Sequence, residues 1–503
     1  MIKTTDTKEL YETYRQHMRK LADVRAALAL MQWDQETYLP VKGAGFRAQQ
    51  VATLSGMAHE LATADNLGSL LESLESSTGL SDTEKKNISL TREDFLKQKK
   101  YPAAFVRKMS ETVSKSFNAW NLAKKENSFP LFEKELEELV VLKKEETEIV
   151  GYLDHPYDAL MDEFEKGCTV QLVDKIFGNM LPKLRVILEK IQHANPPDDS
   201  FLFNSYDKKK QWDFGMQMIA ELGFDFEAGR QDISSHPFST SLNKYDVRIT
   251  TRIDENDFSG MLFSCIHETG HALYEQGLPE SEYGLPSGEF ASVGMHESQS
   301  RLWENHVGRS RAFWKFNYPL AIEKFPEAFE GIPEEKFYKA INKIKPSLIR
   351  TESDELTYHF HVMIRYEIEK MLIRGELKTS DIPGCWNEQY KKWLDVEVPD
   401  DKRGCLQDVH WSHGSFGYFP TYSLGSFYAA QFFASVGKSD SQLKEKMEGG
   451  NTSGLLQWLR QRIHGSGRIW NSEEICKIAT GETLNVQYFL DYLLDKYRKI
   501  YEI

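Results

Sequence analysis

The chain has 503 residues, with 62 Lys and Arg against 76 Asp and Glu and a formal net charge of −14. That negative surplus, with no long Lys/Arg block to offset it, excludes a phosphate-backbone binder. No apolar run approaches the roughly 18 residues of a membrane-spanning helix, which excludes a transmembrane protein.

The opening Met1-Ile2-Lys3-Thr4-Thr5-Asp6 lacks the apolar core of a secretory signal. Five cysteines (Cys168, Cys265, Cys385, Cys405, Cys476) are odd in number and show no Cys-x-x-Cys spacing. Both features point to a reducing cytoplasm and away from a disulfide framework or a Cys-based zinc site. The first half reads as helix: Leu10, Tyr14, Met18, Leu21, Val24 and Leu28 recur at three- and four-residue steps, as do Phe132, Leu136, Leu139 and Leu142. Pro40 with Gly43 and Gly45 predicts a loop after the first helix. Asn195-Pro196-Pro197-Asp198-Asp199-Ser200 predicts a loop between helices, with helical periodicity resuming around Trp212, Met216 and Ile219. Val247, Ile249, Thr251 and Ile253 alternate with polar residues and predict a half-buried strand, with a second strand before it near 238–241. Asn256 or Asp257 then caps a helix that runs to about Gly277. Helices return after residue 300 and continue through one around 486–501. The expected fold is mainly α, with a small sheet beside the central helix.

That helix carries His267-Glu268-Thr269-Gly270-His271. Histidines four apart share one helix face, so both imidazoles reach one metal ion, and Glu268 stands beside the open coordination position as a general base. The competing reading is an ordinary pair of satisfied histidines; a glutamate between them has little structural purpose and argues for the metal. A catalytic zinc site needs a third protein ligand. Gly277 occupies the position where a metzincin has its third histidine, so that class is excluded. A later glutamate is the alternative: Glu297, in Met295-His296-Glu297-Ser298-Gln299-Ser300-Arg301, follows a turn region containing Gly284, Pro286 and Gly288. On spacing alone Glu275, Glu282 and Glu289 compete with it. Cys265 reads as a buried apolar residue on another face.

Six short motifs, in order, give the chain a family resemblance. They are His236-Pro237-Phe238, Asp246-Val247-Arg248-Ile249-Thr250, the His267–His271 pentapeptide, His296-Glu297-Ser298-Gln299, Ile349-Arg350-Thr351-Glu352-Ser353-Asp354 and Gly404-Cys405-Leu406-Gln407-Asp408-Val409-His410-Trp411. With these the chain resembles the thermostable-carboxypeptidase type of zinc metallocarboxypeptidase. The motifs depart from the family pattern at Ser353, where the family has alanine. Trp33-Asp34, Tyr157-Asp158-Ala159-Leu160 and Ile463-His464 extend the likeness along nearly the whole chain. The resemblance implies one catalytic domain over 1–503, with a helical half (about 1–195) and a metal- and substrate-binding half (about 200–503). It implies a saddle-like helical body with a deep groove, similar to the neurolysin and angiotensin-converting-enzyme groups, and a homodimer. It makes Glu297 the third zinc ligand, with one Zn2+ per chain and Co2+ as a possible substitute. The implied substrates are peptides with a free C-terminus, trimmed one residue at a time with broad side-chain preference.

Further candidates follow from the chemistry such a reaction needs. An oxyanion requires donors besides the metal. His410 and Tyr422, flanking Gly414-Ser415-Phe416-Gly417, are the candidates, with Tyr418 as the rival phenol. A terminal carboxylate calls for an arginine able to bind it with two parallel bonds. Arg350 and Arg248 compete for that role. Arg350 stands four residues before Asp354 on an expected helix, where an intrahelical ion pair would hold it. His236 is a possible pocket residue, and Asp408 a possible acceptor orienting His410 or a zinc ligand. His359 and His361 read as structural. The alternatives are a zinc endopeptidase or dipeptidase with the same core, or a non-catalytic peptide-binding protein; intact Glu268 argues against the last.

Overall fold

The computed structural model describes residues 7–503; the Met1–Asp6 segment read above for a signal lies outside them. The long helix Thr7–Thr37 opens the described chain and buries Tyr11, Tyr14, Met18, Leu21 and Trp33. Leu10, Val24 and Leu28 from the predicted stripe are only half-buried, and Tyr11 takes the place of Leu10 in the core. Tyr11, Tyr14, Met18 and Leu21 pack with Leu67, Leu71, Leu74, Ile88 and Phe95 into a cluster of their own, which also takes in Leu285. Each such apolar side chain contributes about 1.5–3 kcal/mol on burial. The chain breaks at Tyr38–Pro40 as expected, and Gly43 closes a short 3-10 turn. Gly45, expected in the loop, lies instead inside the next helix, Ala44–Ala62. Phe132, Leu136, Leu139 and Leu142 are buried on the helix Pro130–Val150, as their spacing predicts.

The loop at 195–199 and the helix Lys208–Glu221 follow as expected. Then comes a three-stranded sheet: β1 (Gly229–Ile233), β2 (Ser239–Asn243) and β3 (Asp246–Thr251), in the order β1-β3-β2. β3 is the central strand, parallel to β1 and antiparallel to β2. It is therefore more deeply buried than a half-buried strand: Val247, Ile249, Thr250 and Thr251 are all inaccessible. Ile253 lies beyond the strand but still packs against its cluster. Val247 and Ile249 meet Met261, Cys265 and Ala272 of the next helix, which confirms Cys265 as a packed apolar residue and fixes that helix to the sheet.

Asp257 caps this helix, Phe258–Glu275, by accepting from the Ser259 amide at 2.8 Å, a contact worth about 1 kcal/mol. Ser292 caps a second helix, Val293–Arg301, in the same way. That helix does not stop at Arg301 but widens into a π-helical stretch, Leu302–Gly308, a feature frequent at functional sites. Beyond it lie the helices Tyr358–Arg374, Phe419–Ser439 and Gln487–Tyr501, which pack into one large core. A groove of about 3090 Å³ runs across the molecule. Among the described residues no helix is long and apolar enough to cross a membrane.

Candidate active site

The helices Phe258–Glu275 and Val293–Arg301 cross at unusually short range, and two glycines allow it. A Cβ on Gly270 would lie 2.5 Å from Ser300 Cα. On the other side, a Cβ on Gly425 would lie 2.7 Å from both Cβ and Cγ of Glu297. Glu297 is thereby pressed toward the histidines. Its Oε2 lies 3.6 Å from His267 Nε2 and 3.5 Å from His271 Nε2. The three ligand atoms lie within 4.8 Å of one another.

The remaining atoms of these side chains are occupied from behind. His267 Nδ1 faces Glu304 Oε2 at 2.9 Å, and His271 Nδ1 faces the His296 carbonyl at 3.1 Å. Arg301 donates from Nε to Glu297 Oε1 at 2.7 Å and from Nη1 to Glu304 Oε2 at 3.2 Å. Two imidazole Nε2 atoms and one carboxylate oxygen thus remain turned toward a common point. This donor set, backed by a carboxylate and a carbonyl on the Nδ1 atoms, fits a zinc ion. Burial, helped by the neighbouring His296, lowers the His271 pKa to about 3, so its ring is neutral and able to bind. Burial alone would raise Glu297, but Arg301, His267 and His271 hold it well below the usual carboxylate range. Glu275, the spacing rival, instead meets His296 Nε2 at 2.9 Å. Glu282 takes bonds from Asn87 and Ser287, and Glu289 pairs with Arg468.

Glu268 is 7 % exposed and lines the groove beside these residues. Burial pushes its carboxyl up to about 7, with His267 pulling against that shift. His410 and Tyr422 line the same groove, with His410 Nε2 3.1 Å from Tyr422 Oη. Burial lowers His410 to about 3, which keeps it neutral. The Tyr418 ring sits 5.1 Å from that of Tyr422 and 5.3 Å from that of His410, so all three share one wall.

Arg350 also lines the groove but not in the expected setting. It starts a 3-10 turn, Arg350–Glu352, rather than lying on a helix. Asp354 is not its partner; that carboxylate accepts from the amides of Lys345, Leu356 and Thr357 and from the Thr357 hydroxyl. Arg350 instead donates from Nε and Nη2 to Asp408 Oδ1, at 3.0 and 2.8 Å, and from Nη1 to Tyr358 Oη at 3.0 Å. Asp408 Oδ2 takes Arg365 Nε at 2.6 Å. Asp408 therefore clamps two arginines, and its Oδ1 stays 4.0 Å from His410 Nδ1. Arg248 faces away from Val247 and Ile249, as alternation predicts. It is tied to Asp246 by two bonds, at 2.8 and 2.9 Å, and lies 4.5 Å over the Trp33 ring. His236 is exposed on the groove rim in the β1–β2 loop. His359 and His361 are buried, facing Ser423 Oγ and Tyr390 Oη at 2.9 Å each, which is a structural role.

Sequence reasoning missed Arg301, Glu304, Tyr358 and Arg365. Arg301 was visible as the i+4 neighbour of Glu297. Glu304 was hidden, because the π-helical stretch that turns it toward His267 leaves no mark on apolar periodicity. Two motif ends gain a reason. Gln299 Oε1 meets His464 Nε2 at 3.0 Å, and Asp34 accepts from Arg47 at 2.7 Å.

Residues 13–497 match the model of the carboxypeptidase Taq (M32) metallopeptidase family. The chain is 40% identical over 486 residues to carboxypeptidase 1 of Bacillus subtilis strain 168, covering 96% of this chain and 97% of that one. The solved structure of the M32 carboxypeptidase from Deinococcus radiodurans R1 superposes with a TM-score of 0.96 at 38% identity, over 98% of this chain and 100% of that one. A solved structure of a protein called CHT also gives 0.96, at 55% identity, over 97% and 99%. The motifs read from the sequence, the helical fold and these matches agree, and the chain belongs to the carboxypeptidase Taq (M32) metallopeptidase family.

Proposed function

We propose that this metallocarboxypeptidase uses zinc, releases single residues of broad chemical type from free peptide C-termini, and relies on Glu268 as its general base. Carboxypeptidase activity itself comes with the family. The observation that carries the finer reading is the convergence of His267 Nε2, His271 Nε2 and Glu297 Oε2, with both Nδ1 atoms already engaged. Zinc held there supplies a Lewis acid and lowers the pKa of a water to roughly 7; Co2+ suits the same donors.

Glu268 takes a proton from the attacking water and passes it to the leaving amine. His410 and Tyr422 donate hydrogen bonds to the oxygen that gains charge, with Tyr418 packing beside them. Arg350 grips the terminal carboxylate. Of the five N–H groups of its guanidinium, three are used by Asp408 and Tyr358, which leaves two for substrate. Arg248 is less suited because, unlike Arg350, it does not line the groove; it is tied to Asp246 and lies over the Trp33 ring. The same reading takes residues 1–503 as one catalytic domain and the working enzyme as a cytoplasmic homodimer.

The test is a mixed peptide set, each peptide made as free acid and as C-terminal amide, followed by mass spectrometry with and without chelator. Stepwise trimming of the acids alone, lost with chelator and restored by Zn2+, is expected. Internal cuts, or equal trimming of amides, would overturn the reading.

A further inference from the structure

We infer that Glu369 is a positioning residue for the His410–Tyr422 pair, acting through the loop that joins them; this rests on the role proposed above for that pair. Glu369 belongs to the helix Tyr358–Arg374 and is fully buried. Its carboxylate accepts three hydrogen bonds from two separate pieces of chain. Tyr157 Oη donates at 2.5 Å, Trp411 Nε1 at 2.7 Å and the Gly417 amide at 2.9 Å. Trp411 directly follows His410, and Gly417 directly precedes Tyr418. One carboxylate thus ties down both ends of the loop between His410 and the helix Phe419–Ser439, which carries Tyr422.

The segment also buries the Trp411 and Phe416 side chains in the main core. It turns through left-handed glycines, Gly414 at φ 70° and Gly417 at φ 94°. Its backbone bonds are local ones, such as Gly414 N to Trp411 O and Ser415 N to His410 O, each 3.0 Å. Gly417 is pressed against the helix Pro156–Met161: a Cβ there would lie 2.5 Å from the Leu160 carbonyl oxygen. Tyr157 and Leu160 come from the Tyr157-Asp158-Ala159-Leu160 stretch, which the reaction otherwise leaves without a role. That stretch is the backstop of the loop, and Glu369 is the pin.

A stability role alone explains Glu369 poorly. A carboxylate buried among neutral donors costs desolvation energy that an apolar side chain would avoid. Such a group is well suited to hold a loop in one geometry, because every donor must be in place to offset that cost.

Glu369→Gln keeps the size and one acceptor oxygen but replaces the other with a donor. We expect kcat to fall at least about tenfold, with KM within about twofold and zinc content unchanged. In a background that lacks both donors, His410→Ala with Tyr422→Phe, the same substitution should change kcat by less than about twofold, because the pair being positioned is gone. An equal fall in both backgrounds, or no fall in the wild-type background while the double variant is impaired, overturns the inference alone. An undiminished kcat in the double variant overturns the role of the pair and this inference with it. If Glu369→Gln does not fold, Trp411→Phe removes one donor, keeps the ring against Trp386, and carries the same test.

Discussion

Glu304 Oε2 lies 2.9 Å from His267 Nδ1, on the side of the ring opposite Glu297. A carboxylate behind a ligating imidazole fixes its tautomer and raises its basicity. Glu304→Gln should therefore weaken zinc binding by about 10- to 100-fold, read by titration against a competing chelator. An unchanged affinity would make Glu304 a packing residue only.

The same pair sets a pH dependence. Burial pulls the His267 pKa down, but Glu297 and Glu304 outweigh it, and the net shift is upward from 6.5. A protonated ring cannot bind metal, so zinc binding must displace that proton. Zinc affinity should be flat above this raised pKa and fall by about tenfold per pH unit below it. Glu304→Gln removes one of the groups that raise the pKa and should move the onset of the fall to lower pH. Zinc titrations across pH 6 to 8 in both proteins check the sign.

Glu268→Gln should leave zinc bound and reduce kcat by about 10²- to 10⁴-fold. Metal content by mass spectrometry and turnover of a short peptide separate the two properties. Loss of zinc together with activity would assign Glu268 to the metal site's structure.

Tyr422→Phe removes one hydroxyl 3.1 Å from His410 Nε2 and leaves the ring in place. A donor that acts on the transition state alone should cost kcat about 10²- to 10³-fold with little change in KM. A rise in KM at constant kcat would make Tyr422 a binding residue instead.

Gly270→Ala would drive a methyl into Ser300 Cα at the helix crossing. Overpacking of this kind costs about 1–3 kcal/mol, and the helices must part to admit it. A lower Tm with weakened zinc binding is expected; calorimetry with and without Zn2+ shows both.

Much of this site was readable before the fold was known, for physical reasons. The histidine pair is a local helical pattern, and β3 announced itself by alternation. Glu297 was reached only as one of four candidates until the motifs singled it out. Other parts depend on contacts that sequence neighbours do not encode. β1 reads Gly229-Arg230-Gln231-Asp232-Ile233, with no apolar alternation, and is a strand because β3 offers it a free edge. Arg350 seemed paired with Asp354 because they stand four apart, yet its partner Asp408 comes 58 residues later. The two glycines that bring Glu297 home, Gly270 and Gly425, belong to different helices and look ordinary in each.

Leu285 has a consequence for how the molecule comes apart. It lies in the connection between His271 and Glu297, yet its side chain is packed among Tyr14, Leu71 and Ile88 of the N-terminal helices. The candidate metal ligands are thus strung on a cord whose midpoint is knotted into a separate core. Loosening of the N-terminal helices would slacken that cord while leaving the ligand-bearing helices intact. Release of zinc ahead of the loss of helical signal on heating is the outcome expected from this tether.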